Sequence, residues 1–130
     1  RVWEAGWELF AESPAFGRGF HADRLLLESH MHNAYLQALV QTGLVGTIFF
    51  VSALFWSWFL LVKTLINLSQ LPITHKHSTI QVAALLIFLS VRSIPESSGA
   101  FFGVDLLLMA LVFVYLQIIN HAINESKDLV

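Results

Sequence analysis

Between Ser29 and Val62 the chain carries no Asp, Glu, Lys or Arg, a run of 34 residues. The second half of that run, from Gly43 to Val62, is apolar except for Thr47, Ser52 and Ser57. At a rise of about 1.5 Å per residue, about 20 such residues cross the hydrocarbon core as a helix. Phe49, Phe50, Phe55, Trp56, Trp58 and Phe59 surround that helix rather than forming one stripe, as lipid contact allows. The composition of the 130 residues agrees: 56% are apolar and 12% charged, half the roughly 25% charged residues of a soluble domain. The bilayer is therefore the expected solvent. A net charge of −2 argues against a nucleic-acid footprint. The absence of Cys excludes disulfides, thiolate zinc sites and a Cys nucleophile.

Two further apolar runs follow. One, His77 to Val91, ends at Arg92 and Pro95 and is only just long enough to span, with Arg92 snorkelling to the interface. The other runs from Phe101 to Ile123 and holds a single charge, Asp105. The first 28 residues differ, since they carry eight of the sixteen formal charges. There Val2, Trp3, Trp7 and Phe10 recur at helical spacing opposite Glu4, Glu8 and Glu12, the pattern of an amphipathic helix at headgroup depth. Ser13-Pro14 stops that helix, and Gly17-Arg18-Gly19 makes a flexible turn.

The fold expected is all-α: a polytopic membrane protein fragment of about three transmembrane helices, preceded by an amphipathic interfacial helix and loop. Residues 1–34 form the outer-face helix and loop, and 35–66 the first transmembrane helix with its outer extension. A cytoplasmic loop covers 67–76, a second span 77–93, an outer-face loop 94–100, a third span 101–123 and a tail 124–130. This topology puts the segment before Leu44 and the Arg92–Ser98 loop on one side of the membrane. Basic residues divide four Arg against three Lys between the two sides, too even to set the orientation. The start at Arg1, without a signal peptide, reads as the C-terminal piece of a longer membrane protein.

The stretch with the most chemistry is His30-Met31-His32-Asn33, then nine residues, then Gly43-Leu44-Val45-Gly46. If one helix runs through it, His32 and Gly43 differ by only about 20° around the axis and Gly46 lies about 40° to the other side. One face then presents an imidazole near the membrane surface above two glycines that admit another backbone. The bland alternative is a histidine that caps the span. His30-x-His32 and His75-x-His77 lack a ligand set beyond Glu28, so no metal site is expected. Arg18 between two glycines is either a functional cation or an exposed turn. Arg92 and Glu96 are expected to pair across Pro95, and Asp105 to face Arg92 or the aqueous site.

His32 and Asn33, a gap of nine residues, then Gly43, two residues and Gly46 make a pattern that resembles the O-antigen ligase and polymerase family of bacterial membrane glycosyltransferases. Arg1-Val2-Trp3, Pro14 and Gly17-Arg18-Gly19 resemble that family's large periplasmic loop, and Ser93-Ile94-Pro95-Glu96-Ser97-Ser98 its C-terminal pattern. The connection from Gly19 to His32 is shorter than in many ligases. The resemblance implies an enzyme of the bacterial inner membrane with its active site on the outer face. It implies inverting, metal-independent transfer of a glycan from a polyprenyl-pyrophosphate carrier to an acceptor hydroxyl of lipid A-core, a growing glycan or a protein. No cofactor is implied, and the bilayer is the other partner. His32 would be the base, since histidine exchanges protons near neutrality. Arg1 matches the family's loop arginine, with Arg18 and Arg92 as further pyrophosphate ligands, because Arg binds phosphate bidentately. Asn33, Gly43 and Gly46 complete the motif as packing residues.

Two other classes fit the same sequence less fully. A lipid-linked glycan flippase or transporter needs polar residues near the midplane, where Ser52, Ser57 and Ser90 are a thin supply. A non-catalytic membrane subunit would use His32 only as a cap.

Overall fold

The computed structural model describes residues 1–96 and 104–128, with side chains to 125. Five helices make up these residues: α1 (Val2–Glu12), α2 (Ala22–Leu27), α3 (Ala34–Ile66), α4 (Ile73–Arg92) and α5 (Val104–Asp128), with a 3-10 turn at Leu68–Gln70. No strand occurs among the described residues. Ser97 and Ser98 of the expected outer loop lie outside them.

The helices form two layers that share α3. In the lower layer α3, α4 and α5 pack together around Leu54, Leu60, Leu61, Leu86, Val112 and Leu116. On α5 the buried positions Val112, Leu116, Ile119 and Ile123 recur every three or four residues, and so do the exposed ones, Val104, Leu107, Leu111, Val114 and Ile118. Both faces are apolar, the pattern of a helix with protein on one side and lipid on the other. Polar clasps cross the interfaces. Trp58 Nε1 donates to Ser90 Oγ (3.1 Å), and Asn120 Nδ2 donates to Thr64 Oγ1 (2.7 Å) and the Leu60 carbonyl (3.1 Å). Such bonds favour one helix register where apolar packing alone discriminates poorly.

Two helices, α3 and residues Val104–Glu125 of α5, are long and apolar enough to cross a membrane. This corrects the expectation of about three. The helix expected at 77–93 starts earlier, at Ile73, and its first turns carry His75, Lys76, His77, Ser78 and Gln81. Those polar groups lower its mean hydropathy below that of a spanning helix.

The upper layer is α1, α2 and the first stretch of α3, around Ala22, Met31, Leu36 and Val40, with Val2, Leu9, Phe10 and Leu27 packed against them. Gly6 marks the close approach of α1, since a Cβ there would lie 3.1 Å from both Leu36 Cδ2 and Met31 Cε. Trp3 and Trp7 stay about half exposed.

The layers meet at a break in α3. Gly43 has φ 64 and ψ −165, a conformation open in practice only to glycine. A break leaves the carbonyls before it and the amides after it without helical partners. The chain between α1 and α2 supplies them. Arg18 N and Gly19 N donate to the carbonyls of Val40 (2.7 Å) and Gln41 (3.0 Å), while Leu44 N and Val45 N donate to those of Pro14 (2.8 Å) and Ala15 (3.2 Å). The expected continuous helix through the His32–Gly46 motif is thus overturned. Gly17-Arg18-Gly19 is a stitch across that break, where a free turn was expected.

Candidate functional site

Met31, His32 and Asn33 form an extended link between α2 and α3, held on three sides. Met31 is 1% exposed and its carbonyl accepts from Trp3 Nε1 at 2.7 Å. Asn33 caps α3, its Oδ1 accepting from Leu36 N at 2.8 Å. Its Nδ2 donates to the Ile94 carbonyl at 2.9 Å, and Ala34 N donates to the Ser93 carbonyl at 3.0 Å. The segment before Leu44 and the Arg92–Glu96 turn therefore share one end of the molecule.

Between these anchors His32 sits at φ 47, a left-handed conformation that costs a non-glycine residue about 1–3 kcal/mol. The surrounding bonds hold it there and turn the imidazole outward, with the side chain 64% exposed. Its Nδ1 lies 3.1 Å from Glu96 Oε2. A carboxylate on Nδ1 favours the tautomer with its proton on that nitrogen and leaves Nε2 as the acceptor. The expected pairing of Glu96 with Arg92 is corrected. Glu96 faces His32, and Arg92 Nη1 lies 3.5 Å from Asp105 Oδ1 with its guanidinium 5.8 Å from the Phe88 ring centre.

Below Arg92, α4 carries a groove of about 640 Å3 lined by Ala84, Ile87, Phe88, Val91, Arg92 and Pro95. One wall end is cationic and the rest apolar. Pro95 of this lining directly precedes Glu96 in the chain. Arg1 stands at the end of α1, two residues from the Trp3 indole that touches Met31, and is fully exposed. Arg18 is not brought to His32. Its guanidinium pairs with Glu12, and its amide is bonded to Val40, about two helical turns along α3 from Asn33. Gly43 and Gly46 also lie away from the imidazole. A Cβ on Gly43 would strike the Ala15 carbonyl, and one on Gly17 would come within 2.6 Å of Thr42 N and Gly43 N. A Cβ on Gly46 would strike the Thr42 side chain of its own helix.

The sequence reading missed two features. Glu96 was expected to pair with the nearer cation, Arg92, whereas its partner is 64 residues away. Asp23, one of the eight charges of the first 28 residues, is fully buried and accepts from Gln37 Nε2 (3.3 Å) and Gln41 Nε2 (3.1 Å). Its signal was available. Gln37 and Gln41 are polar residues one turn apart inside the charge-free run, and a buried amide needs a partner. Among the described residues no group of three or more His, Asp or Glu could hold a metal ion.

Fold and site define a helical, membrane-type chain that presents an exposed His–carboxylate pair and, on α4, a cation-ended apolar groove. The family model described as O-antigen ligase matches residues 1–51. Over that segment the chain is similar to this family, consistent with a fragment of one of its members. The matched residues include His32, Asn33, Gly43 and Gly46, and the Ser93–Ser98 pattern lies beyond them. No curated protein and no solved structure matches the chain.

Proposed function

We propose that the chain forms part of the active site of a bacterial inner-membrane glycosyltransferase of the O-antigen ligase or polymerase type, working on the outer face. The observation that carries this reading is the solvent-exposed Glu96–His32 pair, its carboxylate four residues along the chain from Arg92 at the end of an apolar groove. His32 Nε2 takes the proton of the acceptor hydroxyl as the oxygen attacks the anomeric carbon. The bond from that carbon to the pyrophosphate oxygen breaks on the opposite face, so the configuration inverts. Glu96 accepts the Nδ1–H and stabilises the imidazolium as it forms.

The leaving group is a polyprenyl pyrophosphate, an anion on an apolar chain. The groove along Ile87, Phe88 and Val91 suits the chain, and Arg92 at its end suits the pyrophosphate. Arg92 would exchange Asp105 for that anion, with Arg1 as a second cation on the facing segment. Arg18, occupied by Glu12 and two turns away, acts on the fold of the upper layer instead. The acceptor presents a hydroxyl, as lipid A-core, a growing glycan and a glycosylated protein all do.

The test uses the full-length protein in its host with His32→Ala at matched abundance. Glycan still attached to polyprenyl pyrophosphate should accumulate on the outer leaflet while product falls about a hundredfold or more, the usual scale for losing a general base. Accumulation on the inner leaflet would make this a flippase. Unchanged product would leave His32 only its contact with Glu96 in the link before α3, with no part in the transfer.

A further inference from the structure

At the other end of the bundle, α3 and α5 leave a groove of about 610 Å3 between them. Its wall is aromatic and aliphatic, with Trp56 stacked on Phe59 at 5.1 Å and Ile118 64% exposed opposite them. Its rim carries Lys63 and Glu125. Lys63 is half-buried and has no ion-pair partner among the described residues, while Glu125 Oε2 meets only the ring of His121, at 3.5 Å. Asn120 also lines the groove, and its Oδ1 acceptor has no hydrogen-bond partner among the described residues.

Depth and charge together say what such a groove accepts. From Leu44, just past the break, to Lys63 the helix rises about 30 Å, which matches the hydrocarbon core at about 30 Å. With Leu44 at one edge of that core, Lys63 lies at the other and the aromatic wall at acyl-chain depth. One cation and one carboxylate on the rim complement a headgroup that carries both signs. A purely anionic headgroup would gain Lys63 but face Glu125.

We propose that this groove holds a phospholipid with a zwitterionic headgroup of the phosphoethanolamine kind. Its phosphate pairs with Lys63, its ammonium with Glu125, and one acyl chain lies along Trp56, Phe59 and Ile118. The site is at the opposite end of α3 from His32 and does not depend on what His32 does.

The experiment uses the full-length protein in nanodiscs of equal phosphatidylethanolamine and phosphatidylglycerol, with retained lipids counted by native mass spectrometry. Phosphatidylethanolamine should be retained preferentially. Glu125→Gln should shift the ratio toward phosphatidylglycerol about threefold, and Lys63→Ala should lower retention of both lipids by a similar factor, the scale of one interfacial charge contact. Both positions are at the rim, and monodisperse elution of each variant verifies that it folds. Equal retention of the two lipids, or a ratio unmoved by Glu125→Gln, would overturn the proposal. So would a photo-reactive group at Phe59 that crosslinks to protein in place of lipid.

Discussion

At the scale of single residues, the two glycines of the motif do different jobs. Gly43 has a backbone conformation that L side chains do not adopt, and it faces the Ala15 carbonyl at contact distance. Neither condition can relax without undoing the stitch across the α3 break. Gly46 is an ordinary helical residue crowded by one side chain of its own helix, Thr42, whose Oγ1 and Cβ an added Cβ would strike. Gly43→Ala is therefore expected to cost about 2 kcal/mol or more from backbone conformation alone, with no rescue by a second substitution. Gly46→Ala should be rescued by Thr42→Gly, which removes the obstructing Cβ along with its hydroxyl and methyl, whereas Thr42→Ala keeps that Cβ in place. Folded yield after detergent extraction of the single and double variants checks this, and rescue of Gly43→Ala by Thr42→Gly would contradict it. The other residue-scale test concerns Glu96, which acts through His32. Glu96→Gln keeps a hydrogen-bond acceptor but loses the charge that stabilises the imidazolium. Turnover should fall about tenfold or more with little change in apparent acceptor affinity, a split that a purely structural role would not produce.

At the scale of elements, α2 is a helix of six residues, too short to persist on its own. It is held by Ala22 and Leu27 in the upper core and by the buried Asp23 bonded to Gln37 and Gln41 of α3. Asp23→Ala removes the shared acceptor and leaves two buried amides unsatisfied, at a cost of about 2–4 kcal/mol. Thermal unfolding of the full-length protein in detergent should show that loss. Asp23→Asn, which retains one acceptor oxygen, should lose less, and an unaltered midpoint in Asp23→Ala would remove the clasp from the account. The same region shows what was legible in the sequence. The amphipathic α1, its end at Ser13-Pro14 and the long apolar α3 follow from periodicity and punctuation, which are local. The left-handed turns at His21, Glu28 and His32, the stitch over Gly43 and the burial of Asp23 depend on a second segment meeting the first. Gly43 was recognised as a place of close backbone approach, but the approaching backbone is the chain's own loop at Ala15–Gly17 where a neighbouring helix was expected. His32 and Asn33 were legible as a motif, whereas their contacts with Ser93, Ile94 and Glu96 were legible only as a shared side.

At the scale of the whole molecule, the decisive question is how α3 sits in the bilayer, since every distance from the His32 end to the Lys63 end is referred to it. Apolar side chains are exposed along its second stretch, with Phe49 at 73% and Phe55 at 71%, and no protein element among the described residues covers them. Exposure of that kind is stable where lipid replaces water. We expect the two ends of α3 on opposite sides, and the Ile94 turn, bonded to Asn33 and Ala34 through Ile94 and Ser93, on the side of His32. These 130 residues hold no cysteine, so each introduced one is the single thiol within them. Cysteine placed at His30 and at Ile94, both exposed, should react with a membrane-impermeant maleimide from the same side of sealed vesicles. Cysteine at Ser69, in the turn after α3, should react only when the other side is opened. Labelling of positions 30 and 69 from one side would mean that α3 does not cross, and the bilayer-depth argument for the Lys63 groove would fail with it. Opposite labelling of positions 30 and 94 would instead separate Glu96 from His32, and the pair proposed to move the acceptor proton could not form.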